Sequence, residues 1–293
     1  MKKFNQLVAV ATVALLQACT STQNLDAAIG NIVIAEPQAV NYKSEIAIAR
    51  YTEVIQRAEL TDVQKAELYY DRGVIYDNVG LRNLARHDFT RALRLKSDLV
   101  DAYNFLGIYF TQMQEFDQAY EQFDSVIDLA PEHEYAYLNR GIALYYGGRP
   151  ELAAEDLTVF FNKQANDPYR VLWLYLAERE ANPELALANL KERAELVDER
   201  IWAKQIIQLY LGELSQEKFM AQLTTNVSSN KALTDRLCEA YFYLGKLAQD
   251  KAQSQAAMNF FKLALTTNVY EFVEHRYAKL ELELLRQTGK SAL

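Results

Sequence analysis

The sequence predicts an all-α fold, a solenoid of helix-turn-helix repeats that follows a short export signal. Glycine and alanine recur at a fixed interval of 34 residues, and the apolar residues around them follow the three- and four-residue spacing of a helix. The chain opens with two lysines and a short apolar run, the order found in secretory signals. Half of all residues are hydrophobic, which is enough for a sizeable core in a chain of 293 residues.

Residues 1–18 have the features of a lipoprotein signal peptide. Lys2 and Lys3 precede an apolar run, Leu7 to Leu16, that is too short to span a bilayer. The run ends in Leu16-Gln17-Ala18-Cys19, the kind of sequence that a lipoprotein signal peptidase cuts before a diacylglycerol-bearing cysteine. We therefore expect Cys19 to be the lipidated N-terminus. The alternative is an ordinary secretory signal followed by an accidental cysteine.

The residues after Cys19 predict a location and a tether. Thr20 and Ser21 follow the cysteine. An aspartate at this place would favour retention in the inner membrane, and none is present. We therefore expect a lipid anchor in the outer membrane, facing the periplasm. Residues 19–41 mix small and polar residues with Pro37 and show no sustained period, which predicts a flexible tether.

The net charge of −8 becomes two units more negative once the signal peptide with its two lysines is removed, so nucleic acid is not expected as a partner.

Repeats follow an amphipathic helix that we place at residues 42–60. The repeats are predicted at 66–99, 100–133 and 134–167, because the same residue types return at equivalent positions. These are Gly73, Gly107 and Gly141, Ala85, Ala119 and Ala153, and Tyr69, Tyr103 and Tyr137. A period of 34 residues is that of tetratricopeptide repeats, in which such small and aromatic positions pack two helices together.

The rest of the chain also has helical spacing. Residues 168–237 predict degenerate helical repeats, with turns at Asn182-Pro183 and Gly212. A fourth repeat fits residues 238–270, and residues 271–288 predict a helix that caps the end of the solenoid. Cys238 lies in the fourth repeat and has no second thiol to pair with once Cys19 is acylated, so we interpret it as a small buried hydrophobe.

A partner-binding surface is expected on the first helix of each repeat, on the face that points away from the second helix. Tyrosine recurs on this face, and tyrosine offers a large contact area with a polar tip. The candidate residues are Glu67, Tyr70, Asp77, Asp101, Asn104, Tyr135, Leu138 and Tyr145. No lysine or arginine lies there, so we do not expect the grip on a terminal carboxylate that chaperone-docking repeats use. A solvated groove without a partner is the alternative.

No catalytic, metal-binding or cofactor-binding pattern is present in the sequence. The three histidines fall in separate repeats and lack metal-ligand spacing, and paired acids such as Glu281 and Glu283 have the spacing of a solvent-exposed face. We therefore do not expect an enzyme. The alternative, a hydrolase that degrades the cell wall, would need a lobe outside the solenoid in residues 182–237.

Several runs are more specific than the repeat spacing. They are Tyr70-Asp71-Arg72-Gly73-Val74, Leu106-Gly107-Ile108-Tyr109, Phe123-Asp124-Ser125-Val126, Leu138 to Gly148, and Phe272-Val273-Glu274-His275-Arg276-Tyr277. On these runs the chain, from about residue 43 to 287, resembles the NlpI family of outer-membrane lipoproteins.

That resemblance implies a homodimeric scaffold for peptidoglycan enzymes with a role in cell division. It implies an adaptor that presents a murein endopeptidase to the periplasmic tail-specific protease Prc. It also implies that the N-terminal helix contributes to the dimer, which assigns this role to Ile46, Ile48, Tyr51 and Ile55. The alternative is a structural repeat lipoprotein that assists the assembly of outer-membrane proteins or of a pilus.

Overall fold

The computed structural model describes the backbone of residues 32–291 and the side chains of residues 32–288. The predicted signal peptide at 1–18, Cys19 and residues 20–31 lie outside this range. Every regular element within the described range is an α-helix, so the predicted all-α solenoid is confirmed. The helices are α1 (Tyr42–Arg57), α2 (Asp62–Asn78), α3 (Arg82–Leu95), α4 (Val100–Gln112), α5 (Phe116–Leu129), α6 (Glu134–Tyr146), α7 (Pro150–Lys163), α8 (Pro168–Ala181), α9 (Pro183–Ala194), α10 (Lys204–Tyr210), α11 (Gln216–Gln222), α12 (Asn230–Asp250), α13 (Ser254–Leu265) and α14 (Val273–Ser291).

The predicted packing role of the repeated glycines explains how the helices pair. A Cβ atom at Gly107 would lie 2.5 Å from the ring of Phe123, and one at Gly245 would lie 2.5 Å from the ring of Phe261. The first helix of each pair therefore offers a bare backbone that the large side chain of the second helix covers. Gly80 and Gly148 have positive φ angles of 79° and 72° and end the first helices of their repeats, where glycine adopts this conformation without strain.

Two repeats carry an additional, partly buried ion pair that links their helices. Arg72 on α2 donates to both carboxylate oxygens of Asp88 on α3, at 2.6 and 2.9 Å. Arg140 on α6 makes the same bidentate contact with Asp156 on α7, at 2.7 and 2.8 Å. Both pairs are separated by 16 residues, so they occupy equivalent places in the first and third repeats.

The middle of the chain folds as helices with clear start signals. The Asp167 side chain accepts hydrogen bonds from the backbone amides of Tyr169 and Arg170, and Pro168 occupies the first position of α8. Asn182 caps α9 in the same way and also precedes a proline. The two following helices, α10 and α11, have only seven residues each.

The last helix folds back along the solenoid as well as packing at its end. α14 packs against α12 and α13, and it also contacts α4. Its Arg276 pairs with Asp77 of α2, a residue 199 positions earlier in the chain. Glu281 of α14 accepts hydrogen bonds from Lys246 at 2.6 Å and from Tyr146 at 2.9 Å. The exposure predicted for Glu281 is therefore wrong, since only 2% of the residue is accessible to solvent.

Residues 32–38 form an extended segment, which we call the strap, held against α12 and the end of α13. The backbone N–H of Val33 donates to the Tyr241 hydroxyl at 3.0 Å, and that hydroxyl donates to the Val33 carbonyl at 2.5 Å. The Gln38 side chain donates to Thr234 and Asp235. These residues belong to the segment predicted as a flexible tether, but their hydrogen bonds fix them to the body.

The largest hydrophobic cluster extends from Leu138 to Leu282 and includes Trp173, which packs against Phe242 and Tyr277. Smaller clusters lie between α3, α4 and their neighbours. Within residues 32–291, no helix combines the length and the apolar character needed to cross a bilayer.

Candidate partner-binding surface

The N-terminal part of the predicted surface is accessible. Glu67 and Asp101 are exposed, with 57% of each side chain open to solvent. Tyr70 is half-buried between them, and its ring lies 5.8 Å from that of Phe89. Burial, followed by the charges of Asp101 and Asp71, raises the pKa of Tyr70 to about 12. Its hydroxyl therefore remains a neutral hydrogen-bond donor and acceptor at the edge of this surface.

Contacts between side chains continue the surface onto α6. The Asp101 carboxylate lies 3.1 Å from Nε2 of His133, which precedes α6. The ring of His133 lies 6.4 Å from that of Tyr135, which is 52% exposed. The Asn104 side chain accepts a hydrogen bond from Asn139 at 3.0 Å. The structure thus brings Tyr70, Asp101 and Tyr135, from three successive repeats, onto one continuous surface.

Asp77 lies inside the protein, which corrects its predicted place on this surface. Only 1% of the residue is exposed, and its carboxylate accepts hydrogen bonds from Tyr109 at 2.7 Å and from both terminal nitrogens of Arg276. The spacing of α2 alone made Asp77 a surface residue. The returning α14 covers that part of the face, so a partner cannot reach Asp77.

Leu138 and Tyr145 are also less accessible than predicted. Leu138 is 5% exposed and belongs to the main core. The Tyr145 hydroxyl accepts a hydrogen bond from Lys246 at 2.7 Å, and burial raises its pKa. Both residues face α8, α12 and α14, which the first three repeats do not predict. The open part of the predicted surface is therefore its N-terminal half and Tyr135.

A groove of about 290 Å³, which we call the Tyr135 groove, continues from this surface. Its walls come from α6, α7, α8, α12 and the start of α14, and they combine five aromatic rings with several charged side chains. They include Tyr135, Leu138, Phe160, Tyr169, Arg170, Trp173, Glu239, Phe272 and Glu274. The Arg170 guanidinium stacks on Phe160 with its carbon 3.9 Å from the ring centre, and it also bonds to Glu134. This mixture of aromatic walls and a few placed polar groups is typical of a binding pocket.

Two buried carboxyl groups form part of the groove. Glu239 accepts hydrogen bonds from Trp202 Nε1 at 2.9 Å and from the Tyr169 hydroxyl. Glu274 accepts one from the Tyr243 hydroxyl at 3.2 Å. Burial, followed by the charge of Glu274, raises the pKa of Glu239 to about 8, and burial raises the pKa of Glu274 to about 7. Both groups therefore retain their protons to higher pH than exposed carboxyl groups do.

Helix α1 presents a second open surface. None of its residues is buried, and its Ile46 and Val54 are 54% and 41% exposed. Ile48, Tyr51 and Ile55 are half-buried, and the Tyr51 hydroxyl donates to Asp71 at 3.2 Å. A depression of about 420 Å³ runs along α1, lined by Lys43, Ile46, Ala47, Arg50, Tyr51, Val54 and Leu68.

Sequence reasoning missed the C-terminal half of the Tyr135 groove. Its residues on α8, α12 and α14 lie more than 30 positions from Tyr135 and carry no motif. The available signal was the unusual composition of α8, whose residues Val171 to Ala177 are apolar without interruption and are all buried. A helix that is apolar on all sides must be enclosed by other elements.

In residues 32–291, no group of three or more metal-binding side chains is present.

Comparison with known proteins concerns the repeat fold. The model of the tetratricopeptide repeat matches residues 66–99. Among solved structures, the chain is similar to a tetratricopeptide repeat protein from Parabacteroides merdae, with 15% identity, coverage of 84% of this chain and 100% of that chain, and a TM-score of 0.47. It is also similar to the C-terminal part of a repeat protein from Cytophaga hutchinsonii, with 16% identity, coverage of 76% and 77%, and a TM-score of 0.45.

A third similar structure is MamA from strain MSR-1, with 21% identity, coverage of 53% of this chain and 94% of that chain, and a TM-score of 0.43. The assignment of the repeat rests on the match at residues 66–99 and on the helix pairs themselves. The chain is an all-α solenoid that contains tetratricopeptide repeats.

Proposed function

We propose that this protein is a scaffold, anchored by lipid in the outer membrane and facing the periplasm, that binds murein endopeptidases and the protease Prc. By presenting an endopeptidase to Prc, it regulates peptidoglycan turnover and cell division. The observation that carries the binding role is the continuous surface from Tyr70 through Asp101 to Tyr135, which opens into an aromatic groove. The sequence before Cys19 supports the location, and the resemblance to the NlpI family supports the choice of partners.

The surface suits protein contacts for a physical reason. Tyr70 and Tyr135 combine large rings with polar tips, and such residues contribute much of the binding energy at protein interfaces. Asp101 and Glu67 lie beside them and provide charge at the rim. A protein partner is therefore a better fit for this surface than a nucleic acid, which the net charge of −8 would repel.

A pull-down from solubilised envelopes tests the proposal. The bait is the Cys19-anchored protein, compared with a variant that carries Tyr70→Ala and Tyr135→Ala. Leu185→Ala is the matched control, because Leu185 is 56% exposed and lies on α9, which does not contribute to the proposed partner-binding surface. We expect Prc and an endopeptidase with the wild type and the control, and loss of the endopeptidase in the double variant. Recovery of porin-assembly or pilus components instead would favour a structural lipoprotein.

The regulatory part of the proposal has its own test. If the protein presents an endopeptidase for degradation, deletion of its gene should let that endopeptidase accumulate in the envelope. The double tyrosine variant should reproduce the accumulation, and Leu185→Ala should not. Equal endopeptidase levels in all strains would contradict an adaptor role.

The scaffold acts as a homodimer through α1. An amphipathic helix without a single buried residue, and with Ile46 and Val54 exposed, gains stability when a second copy covers its apolar face. We expect Ile46→Glu combined with Val54→Glu to give a monomer in light scattering coupled to size exclusion, because two charges would be buried in the interface. Leu185→Glu is the control and should stay dimeric. A double variant that remains dimeric would exclude this interface.

A further inference from the structure

A cavity of about 410 Å³ lies where α14 crosses the start of α3 and the end of α4. We call it the Arg82 cavity. Its polar lining includes Arg82, Arg86, Gln112, Arg276 and Lys279, with Glu115 and Glu283 as the acidic members. Tyr109, Met113 and Leu280 form its apolar wall. This concentration of cationic groups is unusual in a chain whose net charge is −8.

Arg82 has no acidic partner in this cavity. Its guanidinium donates to the Gln112 side-chain oxygen at 3.2 Å and lies 3.5 Å from Nδ1 of His275. Both acceptors are neutral. Gln112 carries an amide, and burial, followed by the charge of Arg82, lowers the pKa of His275 to about 4. Burial also lowers the pKa of Arg82. A largely buried guanidinium without a carboxylate is costly, so this arrangement requires an explanation.

The carboxylates near the cavity do not pair with Arg82 or Arg86, and two of them lie against other cations. Asp77 accepts from Arg276 and Tyr109 with both of its oxygens, and Glu283 lies 4.0 Å from Lys279. Arg86 contacts the sulfur of Met113 at 3.3 Å. Within residues 32–288, no carboxylate oxygen lies within 4.0 Å of the guanidinium nitrogens of Arg82 or Arg86.

Gln112 adds a neutral donor to the same place. Its side-chain oxygen accepts from Arg82, while its Nε2 is buried and has no hydrogen-bond partner among residues 32–288. Two guanidinium groups without a carboxylate partner and an unpaired amide N–H therefore line the cavity. A carboxylate offers about four lone pairs and no donor, so it complements this set.

We propose that the Arg82 cavity binds the free C-terminal carboxylate of a peptide. The planar guanidinium of Arg82 or Arg86 pairs with a carboxylate through two parallel hydrogen bonds. The apolar wall of Met113 and Leu280 lies beside these cations, and the last residue of a peptide places an apolar side chain next to its carboxylate. The volume falls within the range of small-ligand sites, roughly 300–1,000 Å³.

This site differs from the one that the repeat sequence excluded. The first-helix faces carry no lysine or arginine, whereas here Arg82 and Arg86 come from a second helix, and Arg276 and Lys279 come from α14. The inference goes beyond the scaffold role and does not depend on which enzymes the protein recruits.

Titration calorimetry with short peptides tests the inference on the purified protein. The probe is acetyl-Ala-Ala-Leu with a free carboxylate, compared with its C-terminal amide, with an amidated peptide that has an internal Glu, and with inorganic phosphate. We expect the free acid to bind and each of the other three to bind about tenfold more weakly, since each lacks the terminal carboxylate or the apolar neighbour. Equal binding of acid and amide, or of phosphate and peptide, would overturn the proposal.

Variants and a second readout keep the result specific. Arg82→Gln and Arg86→Gln should each weaken binding of the free acid about tenfold, whereas Arg94→Gln, an exposed residue on the same helix, should not. Among residues 32–288, the Arg86 side chain donates only to the Met113 sulfur, in an exposed hydrogen bond, so it remains testable if Arg82→Gln unfolds the protein. In proton NMR, the bound carboxylate should raise the His275 pKa by offsetting the charge of Arg82, while the His133 signal stays unchanged. An unmoved His275 pKa at saturation would place the peptide elsewhere.

Discussion

Glu239 and Glu274 are buried carboxyl groups whose hydrogen-bond partners are the neutral donors Trp202, Tyr169 and Tyr243. Their raised pKa values, about 8 and about 7, lie above the ordinary value of 4.5. The unfolded chain therefore releases these protons at lower pH than the folded chain does. The free energy of unfolding should fall as the pH rises from about 4.5 towards 8.

We predict that Glu239→Gln weakens this dependence on pH. A neutral amide does not titrate, so the difference in unfolding free energy between pH 5.5 and pH 8.5 should shrink by on the order of 2 kcal/mol. Urea unfolding at the two pH values measures it, with Glu195→Gln as the control because Glu195 is exposed. An unchanged difference would mean that Glu239 is ionised in the folded protein at neutral pH.

We predict that Gly107→Ala destabilises the protein by about 1–3 kcal/mol through overpacking. Alanine is a better helix former than glycine by about 1 kcal/mol, but its Cβ would lie 2.5 Å from the ring of Phe123. The contact outweighs the helix preference because Phe123 is fully buried and cannot move away. Thermal unfolding measures the loss.

A double-mutant cycle separates this contact from a general effect on the helix. Phe123→Leu removes the ring, so Gly107→Ala should cost less in that background than in the wild type. Equal costs in the two backgrounds would show that the ring is not the obstacle.

At the residue scale, local repetition was predictable and distant pairing was not. Gly107 could be identified from the 34-residue period, since Gly73 and Gly141 occupy the equivalent positions. The burial of Asp77 could not, because its partner Arg276 lies 199 residues away. Spacing on one helix determines which residues share a face, but it does not determine what covers that face.

The strap is an element without regular structure, and the Tyr241 hydroxyl makes two of the hydrogen bonds that attach it. Tyr241 both accepts from the Val33 amide and donates to the Val33 carbonyl. We predict that Tyr241→Phe speeds hydrogen exchange at residues 32–38, because both contacts are lost. The fold itself should lose only about 1 kcal/mol for each hydrogen bond removed.

Tyr243→Phe is the control for the strap, since the Tyr243 hydroxyl donates to Glu274 and does not touch the strap. Exchange at 32–38 should match the wild type in this variant. If Tyr241→Phe also exchanges like the wild type, the contacts of Glu36 and Gln38 are sufficient to hold the strap.

Element boundaries were predicted best where capping residues mark them. Pro168 and Pro183 begin α8 and α9, as their place after a turn indicated. Within the predicted degenerate repeats at 168–237, α10 covers only Lys204–Tyr210, and turns without a capping side chain precede it. The path of α14 back to α4 had no signal in its sequence, which is an ordinary amphipathic pattern.

At the scale of the whole molecule, α14 changes how the solenoid is expected to unfold. In a simple repeat array each unit contacts only its neighbours, so distant units unfold separately. Here the buried pair of Asp77 and Arg276 connects the first repeat to the last helix. We predict that the wild type unfolds in one transition, because unfolding one end alone would leave the charge on the other end without its partner.

Arg276→Met tests this coupling. It leaves Asp77 buried without its cationic partner, which should destabilise the N-terminal repeats by about 3–5 kcal/mol. Trp173 and Trp202 are the only two tryptophans and both lie after α7, so their fluorescence reports the C-terminal half, while circular dichroism reports all helices. The two signals should coincide in the wild type, and dichroism should decrease first in the variant.

Arg200→Met is the matched control, because Arg200 forms an exposed ion pair with Asp198. Its two signals should coincide as in the wild type. Coincident signals in Arg276→Met as well would mean that the repeats are coupled by packing alone.

The strap also determines where the membrane would hold the protein. If Cys19 is lipidated, the chain between the anchor and the Val33–Tyr241 contact is about 14 residues, whose fully extended length is at most about 50 Å. The segment that follows the anchor is therefore attached to α12, in the C-terminal half, and not to α1, although α1 follows the strap in sequence. The anchor would hold the solenoid to the bilayer through α12. Helix α1 would not take part in that attachment and would be available to a second copy.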